Sequence, residues 1–266
     1  MDLQLKGKTA LVSGSTGGIG FAIAELLVKE GATVYINGRS KQRVDEALKR
    51  LSGNAGVAPA NAHGIAADLG TADGVKELVK VLPDVDILIN NVGIYEPKEF
   101  DQIADEDWMR FFDVNVMSGI RLSRQFLNGM LKRNWGRIIF VSSESAVNIP
   151  KEMIHYGMTK TAQLAIARGL AELTSGTNVT VNSVLPGPTA SEGVQEFVEN
   201  MAKKDNKSKA EVEKDFFKNV RPNSLIKRFA SVEEVASMVA YVASPLSSAT
   251  NGAALRVEGG CVQSIV

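Results

Sequence analysis

Two rhythms of apolar and polar positions alternate along this chain: short, continuous apolar runs of strand length, and longer stretches with apolar residues three or four apart, as on one face of a helix. Lys8 to Ser13 (KTALVS) is the first short run. It passes through Gly14-Ser15-Thr16-Gly17-Gly18-Ile19-Gly20 into FAIAELLVKEG, whose apolar residues recur at helical spacing. That order predicts a buried strand, a glycine turn and a helix. Ala32 to Asn37 predicts a second strand, followed by a helix rich in Arg and Lys over 41–51. His63 to Leu69 predicts a third strand ending at the carboxylate of Asp68, with a helix over 71–81 behind it. Val85 to Asn91 predicts a fourth strand, then one long helix from Asp105 to Arg133. Gly136 to Ser143 is the fifth strand, and the helix after it carries Tyr156 and Lys160. Val179 to Leu185 predicts a sixth strand, Ser231 to Ala243 a capped helix, and Asn251 to Glu258 a last strand.

Strands and helices thus alternate from end to end, with no internal repeat and no low-complexity linker. The fold class expected is α/β: a single Rossmann-type, doubly wound domain over 1–266, with a parallel sheet of about seven strands flanked by helices. Two segments interrupt the alternation. SGNAGVAPANA (52–62) reads as a surface connection. Residues 190–228 are charged and only intermittently apolar, and predict two short amphipathic helices joined by KKDNKSK. That segment is either a mobile lid over a substrate pocket or a surface excursion or subunit contact.

The 30 basic and 30 acidic residues among 266 cancel, which argues against nucleic acid as a partner. One cysteine, Cys261, and two histidines leave no material for a disulfide framework, a cysteine zinc cluster or a His-rich site, and no metal is expected. The opening MDLQLK has no apolar core of a signal, and no run of 18 apolar residues occurs. A soluble, cytoplasmic protein with no membrane partner is the expectation.

Candidate chemistry sits at strand ends. Glycines at 14, 18 and 20 allow a tight turn, close approach of a phosphate and packing of helix on strand, with free N–H groups at the helix start. In a dinucleotide fold the end of the second strand faces the adenosine ribose, where an acid favours a free 2′-hydroxyl and an Arg a 2′-phosphate. Asn37-Gly38-Arg39 has no carboxylate, which points to NADP(H), with NAD(H) as the alternative. Otherwise Arg39 is an ordinary solvated loop residue. Asn90 and Asn91 end the fourth strand and must be bonded if buried. They brace a neighbouring strand or line a crevice, and Asn91 is assigned to the crevice. Asn115, among apolar helix residues, is either a satisfied structural group or a site residue. Ser142 and Ser143 end the fifth strand, and strand alternation points Ser142 away from Ser143.

Tyr156 and Lys160 are four residues apart and share one helix face. A tyrosine of ordinary pKa, near ~10, needs about 4 kcal/mol of preferential phenolate stabilisation to work at pH 7. A unit charge about 4 Å away, at an effective dielectric of about 20, supplies that much. The spacing therefore predicts a tyrosine activated by its lysine.

Together these motifs resemble those of the short-chain dehydrogenase/reductase family over essentially the whole chain. The family's TGxxxGIG turn is matched by Ser13 to Gly20, its Asp-Leu by Asp68 and Leu69, and its NNAG by Asn90-Asn91-Val92-Gly93. Its helical Asn falls on Asn115, its Ser on Ser143, its YxxxK on Tyr156 and Lys160, and its PG turn on Pro186-Gly187. The resemblance implies hydride transfer between a nicotinamide and a carbonyl or alcohol. Tyr156 would exchange the proton, Lys160 would lower its pKa and bind the nicotinamide ribose, Ser143 would polarise the substrate oxygen, and Asn115 would hold a water linking Lys160 to solvent. The implied cofactor contacts are Gly14, Ser15, Thr16, Gly18, Ile19, Gly20, Arg39, Asp68, Leu69, Asn91, Gly93, Tyr156, Lys160, Pro186, Gly187 and Thr189. The substrate expected is a small or medium apolar carbonyl compound, with 3-oxoacyl-thioester reduction as the runner-up and a non-catalytic dinucleotide-binding sensor as the competing class. The resemblance also implies a homotetramer or homodimer packed through the helices near 105 and 154. Departures are Ser13 for Thr, Val92 for Ala, Gly17 where NADP-preferring relatives carry a second basic residue, and a longer 190–228 segment.

Overall fold

A computed structural model describes residues 2–54 and 61–265. Seven strands form one sheet in the order β3-β2-β1-β4-β5-β6-β7, with every neighbouring pair parallel. They are β1 (Thr9–Val12), β2 (Thr33–Gly38), β3 (Ala62–Ala66), β4 (Ile87–Asn90), β5 (Gly136–Val141), β6 (Val179–Pro186) and β7 (Ala254–Val257). The order reverses between β1 and β4, so a crevice opens beyond their C-terminal ends, where ligands of such sheets bind.

Apolar runs become strands here because both sheet faces are covered. Ala10 and Val12 of β1, Ile87 and Ile89 of β4, and Ile139 and Val141 of β5 pack on α1 (Gly18–Lys29), α2 (Lys41–Gly53) and α9 (Val232–Ala243). The alternate residues Leu11, Leu88, Ile138 and Phe140 pack on the other face, against α3 (Ala72–Val81), α5 (Ser118–Arg133) and α6 (Ile154–Glu172). Each such buried Leu, Ile or Phe contributes about 1.5 to 3 kcal/mol. Thr180 Oγ1 and Ser183 Oγ on β6 are buried without a hydrogen-bond partner among the described residues, but the largest polar group in the strands is bonded. Arg137, 1 % exposed on β5, donates from Nε to Ser244 O and from Nη1 to Asn178 O and Gly136 O. Burial brings its guanidinium down to about 10.

Three expectations need adjusting. The connection expected over 52–62 lies, from 55 to 60, outside the described residues. The single helix over 105–133 is interrupted: α4 (Asp105–Phe112) passes through a π turn, Asp113–Met117, into α5. A π turn inserts one residue without ending the helix, so the apolar period on either side continues and the sequence pattern hides it. The last strand begins at Ala254 rather than Asn251, whose side chain instead bonds Val181 N and Thr174 Oγ1.

Residues 190–228 do form two helices, α7 (Glu192–Asp205) and α8 (Lys209–Asn219). They are paired through Val198, Ala202 and Val212. Ser208 and Glu211 start α8 with a reciprocal capping box, as Ser231 and Glu234 do for α9. The excursion leaves and rejoins the body at one parallel bridge between Thr189 and Ala230. Among the described residues no helix is long and apolar enough to cross a membrane.

Candidate active site

The glycine turn is shaped by backbone geometry. Gly14 and Gly18 have φ of +61° and +57°, in the left-handed region. A Cβ on Gly20 would stand 2.5 Å from Asn91 Nδ2 and 2.6 Å from Gly14 O, so only glycine lets α1 seat this closely. No side chain caps α1, and its first N–H groups can take an anion. Asn91 does two jobs: Nδ2 donates to Ser13 O and Gly14 O, and the residue also lines the cavity below. Asn90 is a brace, donating to Ser123 Oγ on α5.

Several expected cofactor contacts are committed to the fold. Ser15 is fully buried, with Oγ donating to Val12 O and accepting from Asn37 N, and its own N–H is bonded to Asn37 O. Its side chain braces the turn. Leu69 is 2 % exposed and belongs to the core. Asp68 is exposed and accepts from Gly70 N. Asn37 is buried and spends its amide on Ile65 O, Ala67 O and Gly14 N. Arg39 is exposed and makes no hydrogen bond or ion pair among the described residues. Thr16 presses its methyl on Gly38, where a Cβ would come within 2.5 Å.

Beyond the strand ends lies a cavity of about 520 Å³. Ile19, Asn91, Gly93, Ser143, Tyr156, Lys160, Pro186, Gly187 and Thr189 all line it; Ser15, Thr16, Arg39, Asp68 and Leu69 do not. Val194, Phe197 and Phe216 cover it from α7 and α8. Ser143 lies two residues beyond the end of β5, with its Oγ accepting from Ser145 N at 3.1 Å. Ser142 also lines the cavity, but its Oγ is spent donating to Lys160 O.

Tyr156 and Lys160 share one face of α6, but the electrostatic expectation for the pair does not hold in this structure. Burial pushes the Tyr156 phenol up to about 12, opposed by hydrogen bonding to Ser143. Burial likewise brings the Lys160 ammonium down to about 8. Lys160 Nζ is 5.6 Å from the Tyr156 ring centre and donates to Val141 O at 3.0 Å and to Gln163 Oε1 at 3.3 Å. Desolvation is the largest influence on both groups, and the ammonium is held by two acceptors rather than by the phenol.

Asn115 lies in the π turn behind this wall. Its side chain is saturated: Oδ1 accepts from Ile94 N at 2.7 Å, and Nδ2 donates to Ile94 O and Thr159 Oγ1. Its backbone oxygen accepts from Gln163 Nε2. The Gln163 amide thereby bridges Asn115 O and Lys160 Nζ.

Sequence reasoning missed Gln163, Glu144 and Arg221. Glu144 follows Ser143 directly and is 3 % exposed. Its Oε1 accepts from Arg221 Nε at 3.0 Å, and Arg221 Nη1 reaches Glu152 Oε1 at 3.4 Å. Burial pushes the Glu144 carboxyl up, against the pull of Arg221. The one available signal was a carboxylate immediately after a crevice-facing strand end. Among the described residues no group of three or more His, Cys, Asp or Glu is placed to hold a metal.

A family model described as short chain dehydrogenase matches residues 8–202. An uncharacterized oxidoreductase, YvaG, of Bacillus subtilis (strain 168) is 50% identical over 265 residues, covering 100% of both chains. The 3-oxoacyl-[acyl-carrier-protein] reductase FabG of Aquifex aeolicus (strain VF5) is 32% identical and covers 98% of this chain and 99% of its own. Among solved structures, L-sorbose reductase from Gluconobacter frateurii, complexed with NADPH and L-sorbose, superposes with a TM-score of 0.91 at 31% identity, covering 100% of both chains. With the family model matching most of its length and oxidoreductases aligning with it from end to end, this chain belongs to the short chain dehydrogenase family.

Proposed function

We propose that this chain is an NADP(H)-dependent reductase of small or medium carbonyl compounds, with Tyr156 as proton donor. The observation that carries the reading is the convergence of Ser143, Tyr156 and Lys160 on one cavity that also reaches Ile19, Gly93 and the Pro186–Thr189 turn. The uncapped start of α1 and the glycine cradle fit a dinucleotide phosphate. Arg39, exposed and without an ion pair among the described residues, fits a 2′-phosphate, and the sorbose reductase that superposes on this chain was solved with NADPH. When bound, the nicotinamide supplies the hydride.

The protein's own residues then handle orientation and protons. Ser143 Oγ hydrogen-bonds the substrate oxygen, which gains charge as the carbonyl is reduced. The Tyr156 hydroxyl, bonded to Ser143, delivers a proton to that oxygen. Burial holds the Tyr156 proton firmly until a substrate oxygen is there to take it. Lys160, at about 8, is poised to exchange protons near neutral pH. Gly93 leaves room beside it: a Cβ there would be 3.4 Å from Nζ. Helices α7 and α8 act as a lid that keeps water from the cavity. Exposed Phe100 and Met109, beside and on α4, support a homo-oligomer packed through that face.

Tyr156→Phe is expected to abolish turnover while NADPH binding stays within a few-fold; an active variant refutes the mechanism. The Aquifex relative favours one second reading, reduction of a 3-oxoacyl thioester. Including such a thioester in an NADPH-oxidation screen of diverse carbonyls, with NADH in parallel, separates the two.

A further inference from the structure

The cavity is not purely apolar at its substrate end. Glu144, buried and immediately beside Ser143, has one oxygen committed to Arg221, while Oε2 has no hydrogen-bond partner among the described residues. Arg221 enters from just beyond α8, bonds Glu144 with Nε and Glu152 with Nη1, and leaves Nη2 without a bond among the described residues. Glu144, Glu152 and Arg221 all line the cavity that holds Tyr156. An orphaned buried carboxylate oxygen is costly, and native proteins keep such groups where a ligand or water completes them.

The character of that ligand follows from the donor set. A free acceptor on Glu144 beside a free donor on Arg221 matches a hydroxyl, which gives one hydrogen bond and receives another. Two carboxylates stand against one guanidinium, so an anionic substrate meets excess negative charge. The other cation, Lys160, is held by Val141 O and Gln163. An unsubstituted alkyl chain would leave both polar atoms unserved. Phe216 and Phe229 supply apolar surface alongside, as sites for hydroxylated carbon chains do.

Resting on the reductase reading above, we propose that the substrate is a neutral, polyhydroxylated carbonyl compound whose hydroxyls are recognised by Glu144 and Arg221. This departs from the apolar substrate expected from sequence. It also makes Arg221 a link between the α7–α8 cover and the substrate floor.

Three six-carbon probes test it: fructose, 2-hexanone and 2-oxohexanoate, each assayed for kcat/KM with NADPH. Fructose is expected to exceed both others by about tenfold or more, the worth of one hydrogen bond to a charged group. Glu144→Leu should collapse the fructose to 2-hexanone ratio by a similar factor, with Glu144→Gln, which keeps shape and one acceptor, intermediate. Equal rates on fructose and 2-hexanone, a preference for 2-oxohexanoate, or an unchanged ratio in folded Glu144→Leu would overturn the proposal. A binding arm separates it from the reductase reading: the NADPH complex of Tyr156→Phe is titrated calorimetrically with fructose, with and without Glu144→Leu. Glu144-dependent binding without turnover by the wild type would sink the reductase reading while upholding hydroxyl recognition by Glu144. Absence of saturable fructose binding would overturn this one alone.

Discussion

Gln163 Nε2 donates to the backbone oxygen of Asn115 at 2.5 Å, joining α6 to the π turn between α4 and α5. Its Oε1 receives Lys160 Nζ, so one amide fixes both the lysine and the turn behind it. Gln163→Leu keeps the volume and removes both bonds. Leaving the buried carbonyl unserved costs about 1 to 3 kcal/mol, which melting curves will show as a lower Tm. Loss of lysine positioning is expected to reduce kcat about tenfold or more with little change in KM. Unchanged kcat and Tm would show the amide to be incidental.

Lys160 is a charge buried at a cost. Its folded pKa, about 8, lies below the unfolded value of 10.5, so the native state binds fewer protons than the unfolded chain between those limits. Stability therefore rises with pH from 8 to 10.5 through this group, and the penalty is full below 8. Its size is on the order of 3 kcal/mol. Lys160→Met is expected to melt higher than the wild type at pH 7, by a margin that shrinks toward pH 10, and to be inactive. A variant that melts lower at pH 7 contradicts this assignment.

Arg39 is the exposed cation at the end of β2, and Asn37 before it is fully engaged. Arg39→Ala should raise KM for NADPH at least tenfold, the scale of one charge-assisted phosphate contact, and leave KM for NADH nearly unchanged. Equal effects on both would remove Arg39 from the 2′-phosphate.

Gly20→Ala tests the cradle. The added methyl meets backbone at Gly14 O and the amide of Asn91. Moving either costs about 1 to 3 kcal/mol. The expected readout is a lower Tm together with weaker NADPH binding by fluorescence titration. Wild-type values in both would mean that the turn yields more easily than its packing implies.

The strands and most helix limits were legible because each depends on neighbours within one run: apolar continuity makes β5, and Ser231 with Glu234 starts α9. The glycine turn and the Tyr156–Lys160 face were legible for the same reason. Small polar side chains were harder. Ser15 and Asn37 look alike as loop-end ligands, yet each is turned inward by a partner more than twenty residues away. Glu144 and Arg221 are separated by 77 positions, and no periodicity links them. The π turn at Asn115 adds a single residue within a continuing helix, so a shift in phase was all the sequence carried.

The bridge between Thr189 and Ala230, fastened by Ala190 N to Ala230 O and by Ala230 N to Pro188 O, closes the α7–α8 excursion at its neck. Because both ends are pinned together, the length and chemistry of what lies between can change at little cost to the sheet. The excursion thus behaves as an exchangeable cassette. Under the proposed function, grafting a different 190–228 segment onto this neck is a way to reshape the cavity while leaving the glycine cradle untouched.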